Sequence, residues 1–184
     1  NQADAMLACK TMRIGGVPFG VGAPLLRGLD RTDGVTFVAA KPTALIEGLR
    51  EGRLDAALVS SVEAVRRPGY TVAAGLGIAC KREIRSVRAF RRPGAVSSVG
   101  VDDGSATSVA LLRLLLAREL GGAAAVQRLP PFEPIVPTLR PDELPHDVVL
   151  LIGDVGLAAA PGRREVIDLG RAWCEWQRLP FVFA

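Results

Sequence analysis

Hydroxyl-bearing residues gather at three places where a loop should meet a strand end or a helix start: Ser60-Ser61, Ser86, and the run Gly104-Ser105-Ala106-Thr107-Ser108. A helix start presents unpaired backbone N–H groups and the positive end of the macrodipole, so such a run can cradle a carboxylate or phosphate. The same residue types are preferred N-caps, and the pattern alone favours capping for Ser105. Asp102-Asp103 lies just ahead of the run. Two carboxylates there could serve as acid and base, but they would repel an anion unless directed outward. Asp154, after Leu150-Leu151-Ile152-Gly153, suits either a helix cap or a polar group in a cleft.

The rest of the reactive inventory is thin. His146 is the single histidine, so a zinc site or a Ser-His-Asp triad would have to be built around it alone. It lies in a polar loop ahead of an apolar run, where a surface or capping role is the simpler expectation. Cys9, Cys80 and Cys174 are odd in number and widely spaced, which fits neither a disulfide framework nor a metal-binding pair. Reduced thiols and no metal site are expected. Gly15-Gly16 and Gly20-Val21-Gly22 match neither G-x-G-x-x-G nor a phosphate loop ending in Lys-Ser/Thr, so no nucleotide site is expected.

Composition narrows the classes further. In 184 residues there is room for one good-sized domain or two small halves, and 49% hydrophobic residues with a mean hydropathy of +0.27 exclude a disordered chain. No apolar run reaches the roughly 20 residues of a membrane-spanning helix, and residues 1–11 lack the basic start and apolar stretch of a secretion signal. A soluble, cytoplasmic protein without a membrane partner is expected. The net charge is +4 and the pI about 9.4, carried almost wholly by arginine, whose planar fork suits small carboxylate ligands. The densest basic patch is Arg82, Arg85, Arg88, Arg91 and Arg92. With only 5% aromatic residues and none arranged for stacking, nucleic-acid binding is not expected.

These residues need a scaffold, and the pattern supplies one. Short β-rich runs alternate with helical ones, as in a parallel-sheet α/β protein. Strands are expected at 13–17, 35–40 and 55–60. Helices are expected from Ala23-Pro24, from Pro42 to Arg50 with Gly52 as the stop, and over 61–66. Residues 70–80 and 84–91 read as extended with no helix between, which suggests a crossover between halves. A basic joint at 91–94 precedes a strand at 96–101 and the strongest helix pattern, 106–120, capped by Ser105 and closed by Gly121-Gly122. The proline-rich stretch 129–145 should be irregular. Residues 148–152 form a continuous apolar run of the kind a doubly covered strand requires. Gly153-Asp154 follows at its carboxyl end, where α/β sheets place ligands. A strand at 166–169, a helix at 171–178 and an apolar strand at 180–184 complete the chain. Chain ends are usually polar and frayed, so that last strand is expected to lead into a further segment.

Taken in order, Arg13-Ile14-Gly15, Leu54-Asp55-Ala56-Ala57-Leu58-Val59-Ser60, Ser86-Val87, Ser105-Ala106-Thr107-Ser108-Val109-Ala110-Leu111-Leu112-Arg113, Leu150-Leu151-Ile152-Gly153-Asp154 and Asp168-Leu169-Gly170, followed by Leu179-Pro180-Phe181-Val182-Phe183-Ala184, resemble one family. It is the chorismate dehydratase family of the futalosine route to menaquinone. The resemblance runs from about Met12 to Ala184. Its most specific parts are the T-S-x-x-L-L-R helix start, L-L-I-G-D and L-P-F-V-F-A.

The resemblance implies an α/β fold like the two-lobed periplasmic binding proteins of the second type. Lobe I would span 12–91, lobe II 92–180, and 181–184 would return to lobe I as the second of two crossover strands, with more chain to follow. It also implies loss of water from chorismate to give 3-[(1-carboxyvinyl)oxy]benzoate without a cofactor, the partner being that small dianion. Ser86 is carried over as the catalytic residue and Ser60, Thr107 and Ser108 as anion contacts. Thr43 matches a family Ser/Thr, and Asp154 matches the Asp of I-G-D. Three departures stand out. Val21 occupies the place of an Asn three residues before a proline, Arg82 that of a Gly four before the crossover serine, and Gln177-Arg178 that of a Thr-Gly before L-P-F. A valine cannot donate a hydrogen bond to a leaving hydroxyl or a carboxylate. Two other readings stay open. One is a non-catalytic binding module for a small aromatic or cyclic carboxylate, which Val21 favours. The other is the later naphthoate-forming enzyme of the same pathway, which Ser86-Val87 and the helix start disfavour. No feature of the sequence fixes an oligomeric state.

Overall fold

The computed structural model describes residues 11–184, so Cys9 and nearly all of the stretch read as lacking a secretion signal lie outside the described residues. Strands β1 (Met12–Gly16), β2 (Val35–Ala39) and β3 (Ala56–Ala57) form a parallel sheet in the order β2-β1-β3. Helices α1 (Ala23–Leu26), α2 (Pro42–Arg50) and α3 (Ser61–Arg66) follow the three strands in turn. Pro42 begins α2, where its missing N–H costs nothing and its fixed φ suits the helix. The helix ends as expected at Gly52, whose φ of 68° is open to glycine at little cost. Gly15 lets α2 lie against β1, since a Cβ there would come within 2.6 Å of Leu45.

Beyond α3 the chain runs through β4 (Ala79–Cys80), β5 (Val87–Arg91), β6 (Val99–Val101), α4 (Ala106–Glu119) and β7 (Phe132–Pro134). It continues through β8 (Val148–Ile152), α5 (Gly153–Ala158), β9 (Glu165–Asp168), α6 (Leu169–Gln177) and β10 (Phe181–Val182). The second sheet has the order β7-β6-β8-β5-β9, and β10 pairs with β4 in a separate two-stranded ribbon. Here the all-parallel expectation is corrected: β6, β7 and β8 are parallel, while β5 runs antiparallel to both β8 and β9. Parallel neighbours need a returning crossover, usually helical. β5 is reached through the extended stretch after α3, so nothing imposes a parallel course. Because β5 pairs within this sheet, the basic joint at 91–94 leads from one of its strands to another.

The apolar run of β8 is explained by two cores. Val148, Leu150 and Ile152 pack with Leu111, Leu112, Leu116 and Leu169, whereas Val149 and Leu151 pack with Phe90 and Ala159 on the opposite face. With period 2, a strand covered on both faces must be apolar at every position. A buried guanidinium closes the rim of this sheet. Arg164 donates to the carbonyls of Leu144 at 2.7 Å and His146 at 2.8 Å, and burial lowers its pKa.

The ribbon is held by rings. Phe181 packs against Trp173 and Phe183, and the Trp173 indole N–H donates to the Pro180 carbonyl at 3.1 Å. Cys80 and Cys174 are both free thiols, and burial, reinforced by the neighbouring Cys174, pushes the Cys80 thiol up to about 11.

Candidate functional site

The carboxyl ends of β1, β3, β6 and β8 open onto one cavity, together with the start of β5 and the residues after β10. Strand carboxyl ends are where α/β sheets place ligands, because the loops that follow are free of sheet pairing. The cavity is narrow and half-open, with about 50 Å³ of free volume between its walls. Val17, Phe19, Val21, Leu58, Ile78, Ile152 and Phe183 give it an apolar wall. Its polar side chains are three serines: Ser60 after β3, Ser86 before β5, and Ser105 ahead of α4. No charged side chain lines it among the described residues.

The three hydroxyls are not equivalent. Ser60 stands at the N-cap of α3 without a side-chain capping bond, and among the described residues neither its hydroxyl nor that of Ser86 has a hydrogen-bond partner. Ser105 does cap: its Oγ accepts from the Ser108 amide at 3.3 Å and from the Ser108 hydroxyl at 2.9 Å. Its own proton remains to be donated, and a hydroxyl that already accepts is the better donor. Gly153 begins α5 at φ 62°, and a Cβ there would come within 3.4 Å of the Phe19 ring, so glycine keeps this corner open. Behind Gly104, the Asp102 carboxylate accepts from the Gly104 amide at 3.1 Å, and its burial raises its pKa.

The family model for menaquinone biosynthesis matches residues 12–184. The chain belongs to this menaquinone biosynthesis family. Its fold is similar to the crystal structure of protein AF1704 from Archaeoglobus fulgidus, with a TM-score of 0.64 at 16% identity. The match covers 94% of this chain and 65% of AF1704, so the chain spans about two thirds of that protein's length.

For a member of the menaquinone biosynthesis family, the geometry sorts the residues singled out by sequence. Ser60 and Ser86 are brought together on the cavity wall. Thr107 and Ser108 are not on it: they are buried on the side of α4 that carries Leu111 and Leu112, four residues on. The Thr107 hydroxyl is occupied in a different contact, lying 3.2 Å from the Ser61 hydroxyl and accepting from the Val62 amide at 3.1 Å. Ser61 in turn donates to the carbonyl of Val182 at 2.7 Å, so this cluster ties α3 to α4 and to β10. Thr43 is exposed in the first turn of α2, and Asp154 is exposed in the first turn of α5; neither lines the cavity. His146 packs over Gly100 and lies 3.2 Å from Glu133, away from the serines.

Ser105 lines the wall, whereas of the run it opens sequence reasoning carried only Thr107 and Ser108 forward as anion contacts. As the N-cap, Ser105 has an extended backbone, with φ −140°, and stands ahead of the helix at the cavity while its Oγ still holds the Ser108 amide. Of the departures from the family pattern, Val21 lines the cavity. Arg82 and Arg178 instead border an outer groove with Arg85 and Arg171. Arg178 sits at φ 59°, a left-handed helix end that would suit the glycine it replaces.

Proposed function

We propose that this chain dehydrates chorismate to 3-[(1-carboxyvinyl)oxy]benzoate in menaquinone biosynthesis, as a cytoplasmic hydro-lyase. The proposed scaffold is a two-lobed cleft of the second periplasmic-binding-protein type, with the ribbon of β4 and β10 at the crossovers. The observation that carries the reading is the convergence of Ser60, Ser86 and Ser105 on one otherwise apolar cavity in a member of this family. Loss of one ring C–H proton leaves its electron pair in the ring, and the ring hydroxyl departs with a proton as water. Aromatisation drives the step, so the protein's part is to position the substrate and stabilise the leaving oxygen. In this reading a substrate carboxylate takes the ring proton, the Ser86 hydroxyl donates to the leaving oxygen, and Ser60 and Ser105 hold the substrate oxygens.

Val21 on the wall and the lack of a cation there among the described residues favour a second reading, capture of a cyclic carboxylate without turnover. Incubating the purified chain with chorismate and following aromatic absorbance separates the two. New absorbance, reduced about a hundredfold by Ser86→Ala, supports the lyase. Thermal stabilisation by chorismate with no product supports the binding module.

A further inference from the structure

Asp168-Leu169-Gly170 carries part of the family resemblance yet takes no part in the cavity wall. Asp168 ends β9 and N-caps α6, its Oδ1 accepting from the Arg171 amide at 2.9 Å. The same carboxylate reaches the loop ahead of β5, where Oδ1 accepts from the Ile84 amide at 3.1 Å and Oδ2 from the Arg85 amide at 2.7 Å. Capping requires only the first of these three bonds. The other two fall on consecutive amides of the turn that delivers Ser86.

That turn is strained. Arg85 has φ 58°, a left-handed conformation that is unfavourable for a residue other than glycine, and the Ser86 amide closes a tight bond to the Ile84 carbonyl at 2.6 Å. Glycines allow the close approach on both sides. A Cβ at Gly170 would come within 2.5 Å of the Cys80 sulfur, and one at Gly156 within 2.6 Å of the Ser86 carbonyl oxygen.

We propose that Asp168 is a positioning residue for Ser86, its carboxylate holding the left-handed turn at Arg85 that presents the Ser86 hydroxyl to the cavity. The inference rests on the reading of Ser86 as the donor to the leaving oxygen. Without the carboxylate, the Ile84 and Arg85 amides lose their acceptors, Arg85 relaxes toward negative φ, and Ser86 rotates with it.

Asp168→Asn keeps the size of the side chain but replaces one acceptor by a donor. It is expected to lower kcat for chorismate about tenfold with little change in KM, since a misplaced reacting group costs rate rather than binding. In a Ser86→Ala background the same substitution should lower kcat no further. Arg85→Gly, which removes the strain, should restore most of the loss in Asp168→Asn. A full additional loss in the Ser86→Ala background, or wild-type kcat in Asp168→Asn, would overturn the proposal. A second readout needs no turnover: amide exchange at Ile84 and Arg85 should accelerate at least about tenfold in Asp168→Asn while β8 amides stay unchanged. If chorismate is not turned over, or Ser86→Ala is fully active, the Ser86 reading fails. The clamp is then judged on exchange alone, and unchanged exchange at both amides sinks it.

Discussion

Around the five-stranded sheet, Val148 to Ile152 are buried on both faces beneath α4 and α6 on one side and Phe90 and Ala159 on the other. The three-stranded sheet has no such depth. It buries Leu45, Ile46 and Leu54, leaves most of β2 exposed, and is tied by charge instead. Arg13 donates to Asp55 at 2.9 Å, which raises the guanidinium pKa, and Arg50 grips the buried Glu63 through two bonds of 2.9 and 2.8 Å. Apolar burial stabilises in proportion to area, whereas exposed ion pairs contribute little. Ser86 and Ser105 therefore stand on the stiffer side of the cavity and Ser60 on the softer.

The widest separation between the two regions should appear on truncating their cores. Phe90→Ala removes a fully buried ring at the centre of the larger sheet and is expected to cost about 3–5 kcal/mol by urea unfolding. Leu45→Ala, equally buried but beside an open sheet that can relax, should fall near the lower end of about 2–5 kcal/mol. Equal costs would erase the contrast. A smaller effect is expected where the regions touch. Thr107→Val strips the Val62 amide of its acceptor and leaves Ser61 only the Val182 carbonyl, and should cost about 1 kcal/mol, with amide exchange rising at Val62 before it rises in β8.

The smallest effect is a matter of pH. The Asp147 carboxylate, at the entry to β8, accepts from the hydroxyls and amides of Ser97 and Ser98, and these bonds push its pKa down to about 2. Its folded value lies below the usual value of about 4. Its contribution is therefore complete above pH 4 and is lost as pH falls from there through 2. Asp147→Asn should flatten the acid limb of the stability profile over that interval and leave the three-stranded side unaffected. A profile identical to that of the unsubstituted chain would show that the bonds do not matter to folding.

Much of the fold was legible because local signals agreed with the tertiary environment. Pro42 and Gly52 bounded α2, Ser105 capped α4, and five successive apolar residues marked β8. The strand expected at 55–60 shrank to Ala56–Ala57, the two residues in register with β1, and residues 58–60 leave the sheet to line the cavity. Helix α5 went unread because its first residue is a glycine at φ 62°, which in a sequence resembles a stop.

The order of hydroxyl-bearing loops, the family, and the apolar core of the larger sheet were determined by the sequence, because each rests on residue type and short-range spacing. The direction of β5, the exchange of Thr107 and Ser108 for Ser105 on the cavity wall, and the reach of Asp168 to the Ser86 turn were decided only by the tertiary structure. Those features depend on which faces and strand ends are brought together across 57 to 84 positions of chain, and no local pattern encodes that meeting.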